Sequence, residues 1–104
     1  MAQTYGGGFL VVTQPGISAA SVLASARSAL PTDGSGRIPS YIRVSARNEC
    51  YVRLGDVTVT ATVNDCLVQN ADSVILQVGR AHTHIAYIRG LADGQVNIVP
   101  LDNA

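Results

Sequence analysis

The sequence predicts a mainly β protein, a small antiparallel β-sandwich or barrel of jelly-roll-like type preceded by an N-terminal arm with one short helix. Two observations predict the β part. From residue 41 onward apolar and polar residues alternate with a period of two, and turn residues recur about every eight to twelve positions. The 104 residues suit a single compact unit. We place the arm at residues 1–38 and the β-sandwich domain at residues 39–104.

The strand pattern recurs in six segments, each bounded by residues that favour turns. Alternation predicts that one face of each strand is buried, so that every second residue belongs to the core. Asp93 and Gly94 form a hairpin-turn signal before the last strand. The predicted strands are Tyr41–Ala46, Cys50–Leu54, Val57–Thr62, Ser73–Val78, His84–Arg89 and Gln95–Leu101. The predicted core residues are Val57, Val59, Val74, Leu76, Ile85 and Ile98.

The N-terminal arm combines apolar segments with flexible connections. Three consecutive glycines, residues 6–8, precede a short apolar strand candidate. Residues 17–30 place small apolar side chains at helical spacing and predict a short helix, which is marginal in water unless it docks. Residues 31–40 have the composition of a linker. We expect the arm to pack against another subunit, and not only against its own β domain, through Phe9, Leu10, Val11, Val12, Val22, Leu23 and Leu30. The alternative is that the arm folds back on its own sheet.

Composition and charge narrow the range of partners and locations that we expect for this protein. Charged residues make up 13% of the chain and the net charge is zero, so we expect no nucleic-acid partner. No apolar run approaches the ~20 residues of a membrane span, and no export signal is visible, so we expect a protein made in the bacterial cytoplasm. A charge-poor surface fits either coverage by partner subunits or a neutral surface of Thr, Ser and Asn.

The residues that usually carry chemistry are few. Cys50 and Cys66 lie among apolar residues and are predicted to be buried, reduced thiols. His82 and His84 are the two histidines, and their spacing on a strand would give at most part of a metal site, because catalytic zinc usually has three protein ligands. The aspartates stand next to turn-forming residues, and we expect their side chains to stabilise turns. We therefore expect no enzyme activity, no catalytic residues, no metal and no cofactor.

Residues 41–101 resemble small virion proteins of tailed bacteriophages. The resemblance rests on the succession IRVSARNECYVRLGD, VTVTATVNDCLV, DSVILQVGRAHTHIAYIRG and DGQVNIVPL. It implies a β-sandwich that decorates or stabilises a capsid, and it supplies no catalytic residues.

Three functions follow as expectations. The first is a capsid decoration or stabilising protein of the virion, which forms a homo-oligomer such as a trimer and binds a major capsid protein or another virion protein. The second is a small head–tail or tail component. The third, from another class, is a cupin-like metal enzyme or a small-ligand-binding β-sandwich, for which metal bound by both histidines would be the signature.

Overall fold

The computed structural model of the protein describes residues 3–5 and 8–103, and the side chains of residues 10–102. Ten strands and no helix occur in these residues, which confirms the mainly β class. The strands are β1 (Gln3–Tyr5), β2 (Gly8–Val11), β3 (Ile17–Ser21), β4 (Ala26–Ala29), β5 (Tyr41–Arg47), β6 (Cys50–Gly55), β7 (Cys66–Val68), β8 (Ser73–Gln77), β9 (His84–Arg89) and β10 (Gly94–Asn103).

The first sheet is organised around β10, the longest strand. One edge of β10 pairs with β5 over seven residues, and β8 follows on the outer side of β5. The other edge pairs first with β3 and then, at its last two residues, with β2. β1 completes this sheet by pairing with β2. All these pairings are antiparallel.

The second sheet has the order β4-β9-β6-β7 and is also antiparallel. It packs on the first sheet in a sandwich-like arrangement. Alternate residues of both sheets meet in one core, as the period of two predicts. The main core cluster comprises Leu30, Ile42, Val44, Ala46, Cys50, Val52, Val68, Ile85, Tyr87, Val96 and Ile98.

Most predicted strands are confirmed, with shifts of one or two residues at their ends. Among the predicted core residues, Ile85 and Ile98 are completely buried, and Val59 is buried at 9% exposure. Val74 and Leu76 are half-buried and pack against the main cluster.

The predicted helix at residues 17–30 is wrong. This segment forms β3 and β4, one strand in each sheet, joined by an exposed connection. Half-buried and exposed residues alternate along both strands, because Ala and Ser are small enough to satisfy a period of two as well as 3.6. Leu30 follows β4 and is buried in the main core at 6% exposure. The division of the chain at residue 38 stays a prediction, while Ile17–Ser21 and Ala26–Ala29 belong to the two sheets of this chain.

The predicted strand Val57–Thr62 is also wrong. Residues 56–65, which we call the covering segment, cross the outer face of the second sheet without pairing as a strand. The alternation is real, since Val59 and Ala61 are buried against Ala86 of β9. Val57 is 59% exposed, so its predicted place in the core is wrong. The segment has a turn at each end and does not pair as a strand. Both edges of the preceding strand β6 are already paired, one with β7 and the other with β9, so β6 offers no free edge to this segment.

Candidate functional site

Strand directions divide the loops between two ends of the sandwich. The end that we call apical carries residues 22–25, 48–49, 69–72 and 90–93. The opposite, basal end carries residues 12–16, 30–40, the covering segment and residues 78–83. Large exposed aliphatic side chains occur at both ends, and each end is therefore a candidate interaction surface.

The N-terminal hairpin of β1 and β2 lies at the basal end. Its attachment to the sheet consists of two residue pairs, Asp102 with Val11 and Asn103 with Leu10. In the described residues β1 pairs with β2 and with no other strand, so its second edge presents backbone hydrogen-bonding groups. The hairpin is thus a strand edge held at the margin of the fold.

Asp102 ties the basal loops together next to this hairpin. Its carboxylate accepts hydrogen bonds from the Thr13 hydroxyl and from the Gly34 N–H, the latter at 3.2 Å. The two loops so joined expose aliphatic side chains, Val12 at 45% and Ile38 at 43%. The basal end therefore combines an open strand edge with apolar side chains on fixed loops.

The predicted partner-binding residues are divided between the ends and the interior. Leu10 is buried within the chain at 2% exposure, and Leu30 belongs to the main core. Val12 is exposed at the basal end, and Val11 is half-buried. At the apical end Val22 and Leu23 are 38% and 71% exposed. The side chain of Phe9 lies outside the described residues. Partner binding at these positions stays a prediction.

The two histidines do not converge on a common site. His82 lies in the loop before β9, where its Nδ1 accepts the Gly79 N–H at 3.0 Å. His84 begins β9, and its Nδ1 lies 2.8 Å from the hydroxyl oxygen of Thr83. No group of three His, Cys, Asp or Glu side chains with metal-binding geometry occurs in the described residues.

The two thiols differ in environment. Cys50 is fully buried in the core, as predicted, and burial, together with the nearby Cys66, raises its pKa to about 11. Cys66 is exposed, so the prediction that it is buried is wrong. It shares the core-facing side with its partner Val52, but it is the first residue of β7, an edge strand that pairs with β6 alone among the described strands.

The carboxylates mostly stabilise turns. Asp33 accepts the N–H and hydroxyl of Ser35, and Asp56 accepts the same two groups of Thr58. These hydrogen bonds lower the pKa of each aspartate. They are Asx-type turns, which explains the residues without any acid–base role.

Sequence reasoning missed Leu91, which is 91% exposed and the most exposed large aliphatic residue described. It lies in the apical turn between β9 and β10, beside a cleft that it helps to line. In the sequence, Leu91 could have been recognised as a large apolar residue within the turn that ends in Asp93 and Gly94.

Comparison with protein-family models, with curated proteins and with solved structures finds no match to this chain. In the part of the chain that the structure describes, there is no helix of the length and hydrophobicity needed to span a bilayer.

Proposed function

We propose that this chain is a structural protein of a tailed-bacteriophage virion, most simply a capsid decoration or stabilising protein that acts through subunit contacts. Its partners are further copies of itself, for example in a trimer, and a major capsid protein or other virion protein. A small head–tail or tail component is the alternative within the same class. The proposal includes the finer fold expectation, a jelly-roll-like sandwich.

The N-terminal hairpin is the observation that carries this proposal. β2 is held to β10 by two residue pairs, and β1 has an edge that pairs with no strand in the described residues. Such an edge binds a strand of another chain through backbone hydrogen bonds. The adjacent Val12 supplies apolar contact area at the same place. A decoration protein needs an element of this kind, one that reaches a neighbour while its own core stays intact.

Charge and composition support the same role. The chain carries seven basic and seven acidic residues, and several large aliphatic side chains are exposed. Surfaces of this type favour burial against other subunits, because little charge has to be desolvated. The described side chains contain no group of metal-ligating residues that would favour the cupin-like alternative.

A deletion tests the role of the hairpin. Removal of residues 1–9 takes away β1 and half of β2 and keeps the buried Leu10 and the whole main core. We expect the shortened chain to melt cooperatively and to lose self-association, measured as mass by light scattering. A shortened chain that still forms the full oligomer would contradict the proposed hairpin contact.

A pair of matched substitutions separates the two ends. Val12→Asp places a charge at the basal end, and Leu91→Asp places the same charge on an exposed aliphatic residue of the apical end that is not among the predicted partner-binding residues. We expect the first to weaken self-association and the second to leave it unchanged, with similar melting temperatures. Equal loss in both variants would remove the argument for the basal end.

The virion itself gives the decisive test of location. Particles from a strain that encodes the chain are purified on a density gradient and probed with an antibody against the protein. We expect the protein in fixed proportion to the major capsid protein. Its absence from intact particles would refute the proposed function, whatever the chain does on its own.

A further inference from the structure

A cleft at the apical end has a chemistry that the assembly role does not use. It has a volume of about 400 Å³, within the range of roughly 300–1,000 Å³ that small-molecule sites occupy. Three apical loops build it, and the lining residues are Asn48, Glu49, Gln69, Asn70, Leu91 and Ala92. The cleft lies at the end of the sandwich opposite the N-terminal hairpin.

The walls of the cleft are fixed by hydrogen bonds between the loops. The Asn48 N–H donates to Asn70 Oδ1 at 2.9 Å, and Asn48 Nδ2 donates to the Asp93 carbonyl at 2.7 Å. The Gly90 N–H donates to the Glu49 carbonyl at 2.9 Å. Because three loops are joined in this way, the cleft is present before any ligand arrives, which reduces the entropic cost of binding.

Backbone strain is concentrated at the same place. Asn48 has a φ of 67° and Ala71, next to Asn70, has a φ of 62°, and these are the non-glycine residues with positive φ in the described chain. A left-handed alanine is unfavourable and persists only where surrounding contacts hold it. Here the Ala71 N–H donates to the Ala46 carbonyl at 3.1 Å. The backbone conformation at this end therefore lowers the stability of the fold, and the surrounding contacts maintain it.

Several polar groups in the cleft are uncommitted. In the described residues no hydrogen bond or ion pair engages the Glu49 carboxylate, the Gln69 side-chain amide or Asn70 Nδ2. The Glu49 side chain lies against Gly90, where a Cβ would come within 2.4 Å of its Cγ, so its stem is held in place. These groups offer both donors and acceptors, and a carboxylate oxygen pair accepts two hydroxyl groups at once.

The lining selects among ligand classes. Among the described residues no Arg, Lys or His lines the cleft, and Glu49 repels anions, so phosphates and acidic sugars are disfavoured. Leu91 and Ala92 add an apolar wall that suits the C–H face of a sugar ring. A ligand with many hydroxyl groups, no charge and one apolar face satisfies all of these features. We propose that the apical cleft binds a neutral saccharide, and this inference does not rest on the proposed assembly role.

Titration of the full-length, 15N-labelled chain with neutral oligosaccharides tests the proposal. The probes are di- and trisaccharides of glucose, galactose, mannose and N-acetylglucosamine, with glucuronic acid and triglycine as the anionic and peptide arms. We expect amide shifts confined to residues 48–49, 69–71 and 90–93 with at least one neutral sugar, and weaker or absent shifts with glucuronic acid and triglycine. No response to any neutral sugar, or a stronger response to either other arm, would overturn the proposal.

Three variants locate the site. Gln69→Ala removes a side-chain amide and Glu49→Gln exchanges the carboxylate for an amide that accepts through one oxygen only, and we expect each to raise the dissociation constant by about tenfold or more, which equals about 1.4 kcal/mol. Gln95→Ala is the matched control, because this exposed glutamine lies on the face of the first sheet, outside the cleft. All three are expected to melt like the parent chain. Binding that is unchanged in both cleft variants, or lost equally in the control, would refute the assignment.

Discussion

Arg53 of β6 donates from Nε to the Asp65 carboxylate at 2.7 Å, and this ion pair closes the covering segment onto the outer face of the second sheet. The same carboxylate accepts the Thr62 N–H at 2.7 Å through its other oxygen. One residue thus fixes both the turn of the segment and its attachment. The sheet face beneath it would otherwise expose Ala86 and part of Ile88.

The middle of the covering segment forms further hydrogen bonds with β4 and with the apical connection that precedes β4 in the chain, residues 22–25. Arg27 Nη1 donates to the Val59 carbonyl at 3.4 Å, and the Ala61 N–H donates to the Ser25 hydroxyl at 2.8 Å. Val59 and Ala61 add apolar burial between these points. The covering segment is therefore a third layer over part of the sandwich, held by polar contacts at its end and along its middle and by apolar contacts of Val59 and Ala61.

Acidification is expected to loosen this layer first. Burial raises the pKa of Asp65, but the Thr62 N–H and the Arg53 guanidinium outweigh burial and hold that pKa below its usual value. The hydroxyl and N–H of Thr58 lower the pKa of Asp56, with a smaller contribution from His84. A carboxylate with a lowered pKa stabilises the fold above the unfolded value of about 4, and this stability is lost as pH falls through the folded pKa. We expect the protection of amides in residues 56–65 against hydrogen exchange, taken relative to the intrinsic rate at each pH, to fall below about pH 4 before the main core loses protection.

An Asp65→Asn variant isolates this effect. It should melt at a lower temperature than the parent at neutral pH, with a smaller further decrease on acidification, since the titrating group is gone. Asp72→Asn removes the same charge at the apical end and serves as the control. An Asp65→Asn chain whose melting temperature follows the parent curve at every pH would contradict the role assigned to the ion pair.

Core truncation should separate the buried from the exposed members of the predicted core. Ile85→Ala removes a fully buried side chain from β9 and is expected to cost about 2–5 kcal/mol of unfolding free energy. Val57→Ala shortens a side chain that is 59% exposed, and we expect a change within about 0.5 kcal/mol. Urea unfolding measures both. Similar losses in the two variants would place Val57 in the core after all.

These contrasts show how far the sequence predicts the fold. Strands β5, β6, β8, β9 and β10 were predictable, because bulky β-branched residues alternate with polar ones and leave only one pattern of burial. The strands at residues 17–29 were not, since Ala and Ser fit helical and extended spacing equally. At Val59 and Ala61 the alternation correctly predicted burial, but burial on one side does not reveal whether a neighbouring strand offers backbone partners.

The candidate site was less predictable. The apical cleft is assembled from three loops that are distant in sequence, and its shape depends on hydrogen bonds such as that between Asn48 and Asn70. Turn residues in a sequence predict a turn and leave open which turns meet. Leu91 was recognisable as an apolar residue in a turn, whereas its position beside Gln69 required the folded chain.

Thiol labelling is expected to distinguish the two cysteines in the native protein. Cys66 is exposed and should react without denaturant, whereas Cys50 is completely buried and its raised pKa of about 11 leaves it as a thiol at neutral pH. Mass spectrometry should show one label per native chain and two after unfolding. The Cys66→Ser variant should accept no label while native. Two rapid labels on the native parent chain would show that the core around Cys50 is open.

The last prediction concerns Gly94, which begins β10 beside the apical turn. A Cβ at this position would lie 1.9 Å from the Arg47 carbonyl oxygen and 2.8 Å from the Asn48 Cβ, so β5 and β10 approach too closely for any side chain. Gly94→Ala must push the strands apart where Asn48 and Asp93 are hydrogen-bonded, and overpacking of this kind costs about 1–3 kcal/mol.

Gly34→Ala is the control, because its Cβ would meet only side-chain atoms, the nearest at 3.3 Å. Urea unfolding should show a clear loss for Gly94→Ala and little change for Gly34→Ala. The substitution should also disturb the apical cleft, so that amide signals of residues 48–49 and 69–71 shift while those of the basal loops stay in place. A Gly94→Ala chain with parental stability would mean that β5 and β10 lie farther apart at this end than described.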